Sequence, residues 1–561
     1  MKKYASHAIP ACLTLRELIA RNELLYSDDI AYSYRISPTD RDAVRVSFSE
    51  FCSDVRVLAG ELLRLGIHGR NCAIIGKLSY PWMCVYQAII ASGGVAVPLD
   101  PAWQTADLAN TCHTAEAEFF FCDEDILSKM EDFPAGRRLS LSLTATGEDS
   151  VRGLIERGRS RFSENLTLFN EAAVDPDAMA LLVFTSGTTG KGKGVMLTQR
   201  GILTNIYNII PHVNLSHKTI ALLPPHHTFG ANTCLLGDFA IGAEVYLSSG
   251  IRYVLKELRD EKPGHLILVP LYLETFYRKI LAGIKDQGKE DTFAFAQKTA
   301  RLLRHARIDL RRKLFSSVLS VFGGNLHTVV VGGAPISREI LDFFDSIGIC
   351  VLNGYGITEC SPVVSFNHSR RNILGSVGFP AAADDVVIAD PNENGEGEIR
   401  VRGVNVMLGY FKDPDATAAA FDEEGYFRTG DFGRFDHNRA LYITGRLKNL
   451  IILSNGKNVY PEEIESALSS LPGVLECVVY EGKSKRGLMH NTVVAEIYPD
   501  PDYFEKNGIT DAKAHLDPFI EEYNRTAVPY KKIGLLRIRE EEFPKNTLRK
   551  ILRFRIDTEI E

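Results

Sequence analysis

The chain has 561 residues, of which 45% are hydrophobic and 24% charged, so it can bury a large core and form more than one domain. Its net charge of −7 gives no overall basic field for nucleic acid, and its ten cysteines show neither a C-x-x-C pair nor zinc-ligand spacing. The N-terminus has no signal-peptide core, and no apolar run reaches the roughly 18 residues of a membrane span. These features predict a cytoplasmic globular protein with free thiols.

Strand-like and helix-like segments alternate through the first third of the chain. Arg45 to Phe48 reads as extended, and Ser49 is predicted to cap a helix that runs through Leu65. A further helix is predicted over residues 82–91. Buried strands are predicted at 72–75, 94–99, 119–122 and 180–184. Such alternation predicts mostly parallel sheets covered by helices. Residues 130–175 are polar and irregular, and we expect them to form a surface excursion.

A loop rich in glycine, threonine and lysine follows the buried run 179–184. It reads T-S-G-T-T-G-K-G-K-G from Thr185 to Gly194, and Val195 to Leu197 is again apolar. Thr198 is a good N-cap for a helix to about Ile209. The loop therefore joins two extended segments, and its amide groups, hydroxyls and lysines suit a phosphate.

Two phosphate-binding patterns compete for this loop. Gly187 to Lys193 satisfies the first seven positions of the phosphotransferase pattern G-x-x-x-x-G-K-[ST], but Gly194 lacks the required hydroxyl and no helix begins there. The loop also resembles T-S-G-T-T-G-x-P-K-G-V of the adenylate-forming superfamily and departs from it at Gly192, where proline is usual. This resemblance implies that the β- and γ-phosphates of ATP are held by Thr185, Ser186, Gly187, Thr188, Thr189, Gly190 and Lys193.

Two adjacent histidines follow a predicted strand at 219–222. In the superfamily a comparable P-x-x-H-x-x-G segment borders the carboxylate pocket, which places His227 near the substrate. Members that activate amino acids carry an aspartate in this region, and the segment from Pro224 to Gly230 has none. An amino-acid substrate is therefore disfavoured.

Residues 271–319 are predicted to be helical and basic. Lysines and arginines recur at Lys298, Arg301, Arg304, Arg307, Arg311, Arg312 and Lys313. They form either a solvated helix face or a cationic face for a membrane surface or for CoA phosphates. The length of this helical segment resembles that of long-chain fatty acyl-CoA synthetases.

Two predicted strands end in glycine-containing segments. Residues 328–331 lead into Gly332, Gly333 and Ala334, and residues 350–353 lead into G-Y-G-I-T-E at 354–359. The second segment resembles the superfamily motif Y-G-x-T-E. The resemblance implies that Tyr355 stacks on adenine opposite residues 332–334, and that Glu359 and the Thr185 hydroxyl hold Mg²⁺. It also assigns nucleotide contacts to Asn353, Gly354, Gly356 and Thr358.

The next motifs resemble the ribose and hinge segments of the superfamily. Residues 397–403 alternate and predict a strand of a small antiparallel sheet. Residues 427–431 match F-x-T-G-D, which implies that Asp431 accepts both ribose hydroxyls. Residues 445–449 resemble G-R-x-K-D, which implies that Arg446 reaches the ribose or a phosphate and that Lys448 is the pivot, while Asn449 replaces the usual aspartate. We place the domain boundary here, between residues 1–447 and 448–561.

The C-terminal part carries two more resemblances. Residues 454–465 are similar to the loop of the second reaction step, where Lys457 would contact a CoA phosphate. Pro461 is predicted to begin a helix, and strands at 475–480 and 492–497 predict a small α+β domain. Residues 544–550 resemble P-x-T-x-x-G-K, which makes Lys550 the adenylation lysine, although Arg549 stands where glycine is usual.

The resemblance covers about residues 48–550 and implies an α/β protein. It consists of a large N-terminal domain of two α/β subdomains plus a β-rich subdomain, and a small mobile α+β C-terminal domain. The implied enzyme is an AMP-forming fatty acid–CoA ligase that uses ATP, Mg²⁺ and CoA, with Lys550, Lys193, His227 and Glu359 as catalytic residues. A carrier protein as acceptor, an aryl acid as substrate and a non-catalytic nucleotide-binding relative stay open, as does peripheral contact at the inner membrane face.

Overall fold

The structure is a computed structural model that describes residues 11–185, 192–381, 384–452, 458–484, 492–545 and 551–560. Its strands, in chain order, are β1 (Ile30–Tyr34), β2 (Val44–Ser47), β3 (Asn71–Ile75), β4 (Val95–Leu99), β5 (Ala117–Cys122), β6 (Arg137–Ser140), β7 (Met179–Thr185), β8 (Lys193–Thr198), β9 (Lys218–Ala221), β10 (Glu244–Leu247), β11 (His265–Leu268), β12 (Thr328–Val331), β13 (Cys350–Gly356), β14 (Val363–Phe366), β15 (Phe379–Pro380), β16 (Asp385–Ala389), β17 (Gly397–Arg402), β18 (Gly409–Tyr410), β19 (Phe427–Phe435), β20 (Leu441–Arg446), β21 (Ile451–Ile452), β22 (Asn458–Val459), β23 (Val474–Ser484), β24 (Thr492–Pro499), β25 (Leu535–Ile538) and β26 (Glu559–Ile560).

The α-helices, in chain order, are α1 (Leu15–Tyr26), α2 (Phe48–Arg64), α3 (Tyr80–Ala91), α4 (Thr105–Thr114), α5 (Glu124–Leu127), α6 (Val151–Ser160), α7 (Phe162–Glu171), α8 (Gln199–Ile209), α9 (Gly237–Ala240), α10 (Val254–Glu261), α11 (Pro270–Asp286), α12 (Glu290–His305), α13 (Arg311–Leu314), α14 (Ser316–Leu319), α15 (Arg338–Ser346), α16 (Pro414–Ala420), α17 (Pro461–Leu468), α18 (Pro501–Asn507) and α19 (Ala512–Thr526). A π-helix covers Phe229–Leu236, directly after the histidine pair. No helix of the described residues is long and apolar enough to cross a membrane.

The first sheet has seven strands in the order β18-β8-β7-β4-β3-β5-β6. Strands β7, β4, β3, β5 and β6 run parallel, as the alternation of helices and strands predicts. The last two neighbours, β7 with β8 and β8 with β18, are antiparallel. The glycine-rich loop therefore connects the two strands of a hairpin at one side of this sheet.

Two further sheets form the second α/β subdomain. Strands β11, β12 and β13 are parallel neighbours, and β14 and β15 continue that sheet in antiparallel fashion. The other sheet has the order β2-β1-β10-β9. The Thr219 hydroxyl of β9 donates to the carbonyl of His265 in β11 at 3.0 Å, which links the two sheets.

The β-rich subdomain and the C-terminal domain agree with the predicted organisation. Strands β16, β17, β19 and β20 form an antiparallel sheet that includes the predicted strand near residue 397. The C-terminal sheet has the order β25-β24-β23-β26 and, with α17 and α19, encloses a separate apolar core around Ile464, Val479 and Leu516. The predicted fold class is confirmed, whereas the boundary at 447/448 stays a prediction.

Two local predictions were wrong. Helix α2 begins at Phe48, because Ser47 and Glu50 form a capping box in which each side chain accepts from the other's backbone amide. Residues 130–175 are not a surface excursion but contain β6, α6 and α7. The polar sequence of this segment does not indicate how closely it packs. Buried Asn165 donates to Glu61 at 3.0 Å. A Cβ added to Gly60 would lie only 2.3 Å from the Cβ of Asn165.

Candidate active site

The candidate site lies where the carboxyl ends of β12 and β13 meet the β7–β8 hairpin and the strands β19 and β20. These elements come from all three predicted subdomains of the N-terminal part. Ligand sites in α/β folds favour the carboxyl ends of parallel strands, because loops can diverge there. Side-chain contacts between the predicted residues show which of them meet.

Asp431 is the centre of a polar chain on the nucleotide side. Its carboxylate is buried; one oxygen accepts from the Tyr355 hydroxyl at 2.6 Å, and the other lies 2.8 Å from Nε of Arg446. Burial and the adjacent Asp431 charge raise the pKa of Tyr355 well above its usual value. Asp431 also raises the pKa of Arg446, so the guanidinium stays charged. The structure thus joins three residues that sequence motifs had assigned separately.

A second chain of contacts links Glu359 to the hairpin. The Tyr410 hydroxyl donates to Glu359 at 3.1 Å, and the Lys193 ammonium lies 4.5 Å from the centre of the Tyr410 ring. The Thr185 hydroxyl lies 3.5 Å from the Lys193 carbonyl at the loop end of the hairpin. Burial raises the pKa of Glu359, while the Tyr410 hydrogen bond and nearby Arg446 lower it.

Glycines set the shape of the strand ends. A Cβ on Gly332 would lie 3.3 Å from the Gly354 carbonyl, so β12 and β13 approach closely where they end. A Cβ on Gly356 would lie 2.2 Å from the Pro362 carbonyl, which no side chain tolerates. Gly192, where the family motif has proline, has a similar constraint, since its Cβ would be 2.8 Å from the Thr185 carbonyl.

The remaining predicted residues are placed as follows. Gly333 and Ala334 are exposed after β12, and Thr358 begins a short 3₁₀ turn with Glu359. Asn353 has a structural partner, because its side-chain amide donates to the Ser376 carbonyl at 3.1 Å. Lys448 lies in the 3₁₀ turn Leu447–Asn449. The predicted residues outside the described ranges are Ser186, Gly187, Thr188, Thr189, Gly190, Lys457 and Lys550.

The histidine pair forms a buried polar cluster beside a cavity. The two imidazole centres are 4.4 Å apart, and Nε2 of His226 lies 3.6 Å from the Asp100 carboxylate. Burial lowers the pKa of His226 to about 4 and that of His227 to about 3. Both nitrogens of His226 and Nε2 of His227 lack a hydrogen-bond partner in the described chain. His226 also lines a cavity of about 400 Å³, so a polar atom of a substrate would satisfy this cluster.

The donor set fits a magnesium ion that arrives with a nucleotide. No group of three or more histidine, cysteine, aspartate or glutamate side chains converges among the described residues, so the protein alone offers no full ligand shell there. Glu359 and Thr185 would supply one carboxylate and one hydroxyl, which suits a cation that takes its other oxygens from phosphates and water.

Sequence reasoning missed two residues of the site. Tyr410 lies in β18, and its contact with Glu359 and Lys193 depends on the pairing of β18 with β8. Glu462 of α17 accepts from the Asn449 amide at 2.6 Å and contributes to the raised pKa of Arg446. The replacement of the usual hinge aspartate by Asn449 therefore has a partner that explains it.

Comparisons with known proteins agree with this geometry. The long-chain-fatty-acid–CoA ligase FadD15 of Mycobacterium bovis is 29% identical over 482 residues, covering 82% of this chain and 78% of that protein. The chloroplastic long-chain-fatty-acid–[acyl-carrier-protein] ligase AEE15 of Arabidopsis thaliana is 27% identical over 543 residues, covering 82% of this chain and 74% of that protein.

A solved structure shares the fold. The o-succinylbenzoate coenzyme A synthetase MenE from Bacillus subtilis, in complex with ATP and magnesium ion, matches with a TM-score of 0.70 and 22% identity over 96% of this chain and 98% of that chain. The model of the AMP-binding enzyme family matches residues 21–411, which is more than half of the chain. The chain therefore belongs to the AMP-binding enzyme family.

Proposed function

We propose that the protein is an ATP-dependent acid–thiol ligase that converts a medium- or long-chain fatty acid to acyl-AMP and then to acyl-CoA. AMP and pyrophosphate are the other products. The observation that carries the proposal is a pair of side-chain contact networks in the candidate site, Tyr355–Asp431–Arg446 and Glu359–Tyr410–Lys193. The protein that holds them belongs to the AMP-binding enzyme family.

In the first half-reaction a carboxylate oxygen of the acid attacks the α-phosphorus of ATP, and pyrophosphate leaves. Asp431 offers a buried carboxylate whose two oxygens suit the two ribose hydroxyls. Lys193, held over the Tyr410 ring at the loop end of the hairpin, is positioned to balance negative charge on the phosphates. Lys550 is the proposed second cation, shared between the carboxylate and the α-phosphate.

Magnesium would be held by Glu359 and Thr185, and when bound it supplies charge neutralisation on the phosphates. The role of Glu359 follows from its surroundings. A buried carboxylate costs free energy when ionised, and a cation nearby would offset that cost. The hydrogen bond from Tyr410 fixes the orientation of the carboxylate before a ligand arrives.

In the second half-reaction the thiol of CoA attacks the acyl carbon and AMP leaves. We propose that the C-terminal domain turns about Lys448, which withdraws Lys550 and brings Lys457 toward a CoA phosphate. The contact between Asn449 and Glu462 lies directly beside this pivot. A turn about Lys448 would therefore strain or break it.

The substrate class follows from three supports. FadD15 of Mycobacterium bovis is a long-chain-fatty-acid–CoA ligase by name, and the helical segment α11–α14 has the length expected of such enzymes. The segment from Pro224 to Gly230 contains no aspartate that could hold a substrate ammonium. His226 and His227 are neutral at pH 7 because burial lowers the pKa of each, so neither adds a charge to the acyl pocket.

The acceptor of the acyl group is a separate part of the proposal. CoA is the first choice, and a carrier protein is the alternative that the name of AEE15 supports. We also propose a cytoplasmic location with peripheral contact at the inner face of a membrane, since long-chain acids partition into lipid.

The test is pyrophosphate exchange across aliphatic and aromatic acids, followed by transfer with CoA and with a carrier protein as rival acceptors. Exchange with aliphatic acids and AMP release on addition of CoA are expected. Exchange with aromatic acids alone would refute the fatty-acid substrate. Production of ADP would refute the reaction type.

A further inference from the structure

One surface of the protein exposes large apolar side chains among cations. Phe295 and Leu302 lie seven positions apart on α12, hence on one face, and are 70% and 72% exposed. Ile308, in the turn that follows, is also exposed. Lys298, Arg301 and Arg307 lie between and beside them. These six residues are called the α12–α13 surface.

Six of the seven basic residues of this region divide into two groups. Arg304 and Arg311 pair with Asp345 of α15, and Arg312 donates to the carbonyls of Gly324, Leu326 and Gly348. This first group fixes α12 and α13 to the rest of the subdomain. Lys298, Arg301 and Arg307 have no ion pair with any described residue, so their charges face solvent.

The local charge is opposite to that of the whole chain. Positions 295 to 314 carry seven lysines and arginines and one acidic residue, in a protein of net charge −7. Phe295 and Leu302 share one helix face and have several cations beside them, which distinguishes them from apolar residues that are exposed singly. Apolar side chains flanked by cations at helical spacing match the boundary of an anionic bilayer, where the rings and chains enter the lipid and the cations meet the headgroups.

The position of the surface suits such a contact. The carbonyls that hold Arg312 precede β12 and β13 or lie at their amino ends, whereas the active-site glycines lie at the carboxyl ends of the same strands. A bilayer at the α12–α13 surface would therefore leave the active-site edge open. We propose that this surface docks the protein on an anionic lipid membrane, which deepens the peripheral contact in the proposed function.

Vesicle binding of the full chain tests the proposal. Wild-type protein is expected to co-sediment with vesicles of phosphatidylcholine and phosphatidylglycerol, to bind phosphatidylcholine alone weakly, and to be released by salt. The variants K298E/R301E and F295S/L302S are each expected to lower the partition coefficient by roughly tenfold or more. The matched control L24S/K129E changes an exposed leucine and an exposed lysine elsewhere and should bind like the wild type.

Equal binding by all variants, or no binding by the wild type, would overturn the proposal. Concentration-dependent self-association that F295S/L302S abolishes would assign the surface to a second copy instead. Pyrophosphate exchange with a water-soluble acid should be the same in all variants. If exchange is absent in the wild type while vesicle binding persists, the proposed reaction fails and the docking surface stands.

Discussion

The phenol of Tyr355 donates a 2.6 Å hydrogen bond to Asp431, a residue 76 positions further along the chain. The contact joins the end of β13 to β19 and leaves the second Asp431 oxygen to Arg446. Adenine stacking and ribose recognition, assigned to these two residues from separate motifs, would therefore be coupled through one carboxylate.

This coupling predicts a graded effect of two substitutions. Tyr355→Phe keeps the ring but removes the hydrogen bond, so we expect the KM for ATP to rise roughly fivefold to tenfold. Asp431→Asn removes the charge that faces Arg446 and should reduce pyrophosphate exchange by at least about 100-fold. Tyr442→Phe on β20 is the matched control and should leave exchange unchanged. Equal activity of Y355F and wild type would show that the hydrogen bond does not position Asp431.

Glu359→Gln should separate stability from activity. Burial raises the pKa of Glu359, so the unfolded chain releases this proton at lower pH than the folded chain does, and the contribution of Glu359 to stability falls as pH rises above about 4.5. We expect E359Q to have a higher Tm than wild type at pH 7.5 without nucleotide, and the same Tm once both forms are neutral below about pH 4.5.

The same variant should lose roughly 100-fold in magnesium-dependent exchange. The exposed control Glu393→Gln should change neither quantity. If E359Q lowers Tm and keeps full exchange activity, Glu359 is a structural residue.

Tyr410 is expected to act on the hairpin through its ring and on Glu359 through its hydroxyl. Tyr410→Phe keeps the contact with Lys193 and should lower kcat/KM for ATP by up to about fivefold. Tyr410→Leu loses both contacts, and a reduction of roughly tenfold to 100-fold is expected. Steady-state kinetics of adenylation distinguish these outcomes, and identical values for the two variants would remove the cation–π contact from the account.

The histidine pair predicts acid sensitivity. In the unfolded chain both imidazoles take up protons below about pH 6.5, whereas burial lowers the pKa of His226 to about 4 and that of His227 to about 3. Stability should therefore decrease as pH falls from 6.5 toward 4, and H226Q/H227Q should decrease less.

Urea midpoints at pH 7 and pH 5 measure this difference, with the exposed His437→Gln as control. In H226Q/H227Q the difference between the two midpoints should shrink but not vanish, because burial also lowers the pKa of His327 and of His368 to about 4. If the midpoints of H226Q/H227Q differ between pH 7 and pH 5 as much as those of the wild type, the two histidines are not held neutral by burial.

The hydrogen bond between Asn449 and Glu462 predicts that a second substitution at Glu462 can compensate for a substitution at Asn449. Asn449→Asp would place a carboxylate opposite Glu462 in place of a 2.6 Å hydrogen bond, at a cost of about 1–3 kcal/mol. We expect faster proteolysis between residues 446 and 461 in N449D, and recovery in N449D/E462Q. If N449D is as resistant as wild type, the contact does not hold the start of α17.

Much of the fold could be predicted because its strands are short, buried apolar runs with turn residues at their ends. The hairpin around the glycine-rich loop and the α8 cap at Thr198 have this local origin. Helices α6 and α7 were missed because each buries only a few apolar residues among many polar ones: Val151, Leu154 and Ile155 in α6, and Phe169 in α7. The ion pairs of Arg157 with Glu61 and of Arg159 with Asp54 add packing that a hydrophobic pattern does not indicate.

The candidate site was predictable where a motif carries both the residue and its neighbours, as for Tyr355 and Asp431. Tyr410 could not be predicted in this way. Its contacts with Lys193 and Glu359 depend on the pairing of β18 with β8, two strands about 200 residues apart in the sequence. Helix α2 shows the same limit at short range, where two serines compete as caps and only Ser47 has a glutamate three residues later.

The two-residue strand β18 has a consequence for dissecting the protein. It follows β17 of the β-rich subdomain in the chain, yet it pairs with β8 and completes the first sheet. A fragment that stops before residue 409 would keep β8 paired with β7 but would leave the outer edge of β8 unpaired, where a strand of another molecule could add. Expression of the first α/β unit without β18 should therefore give insoluble material. A fragment that ends just after Phe411 keeps β18 on the edge of β8.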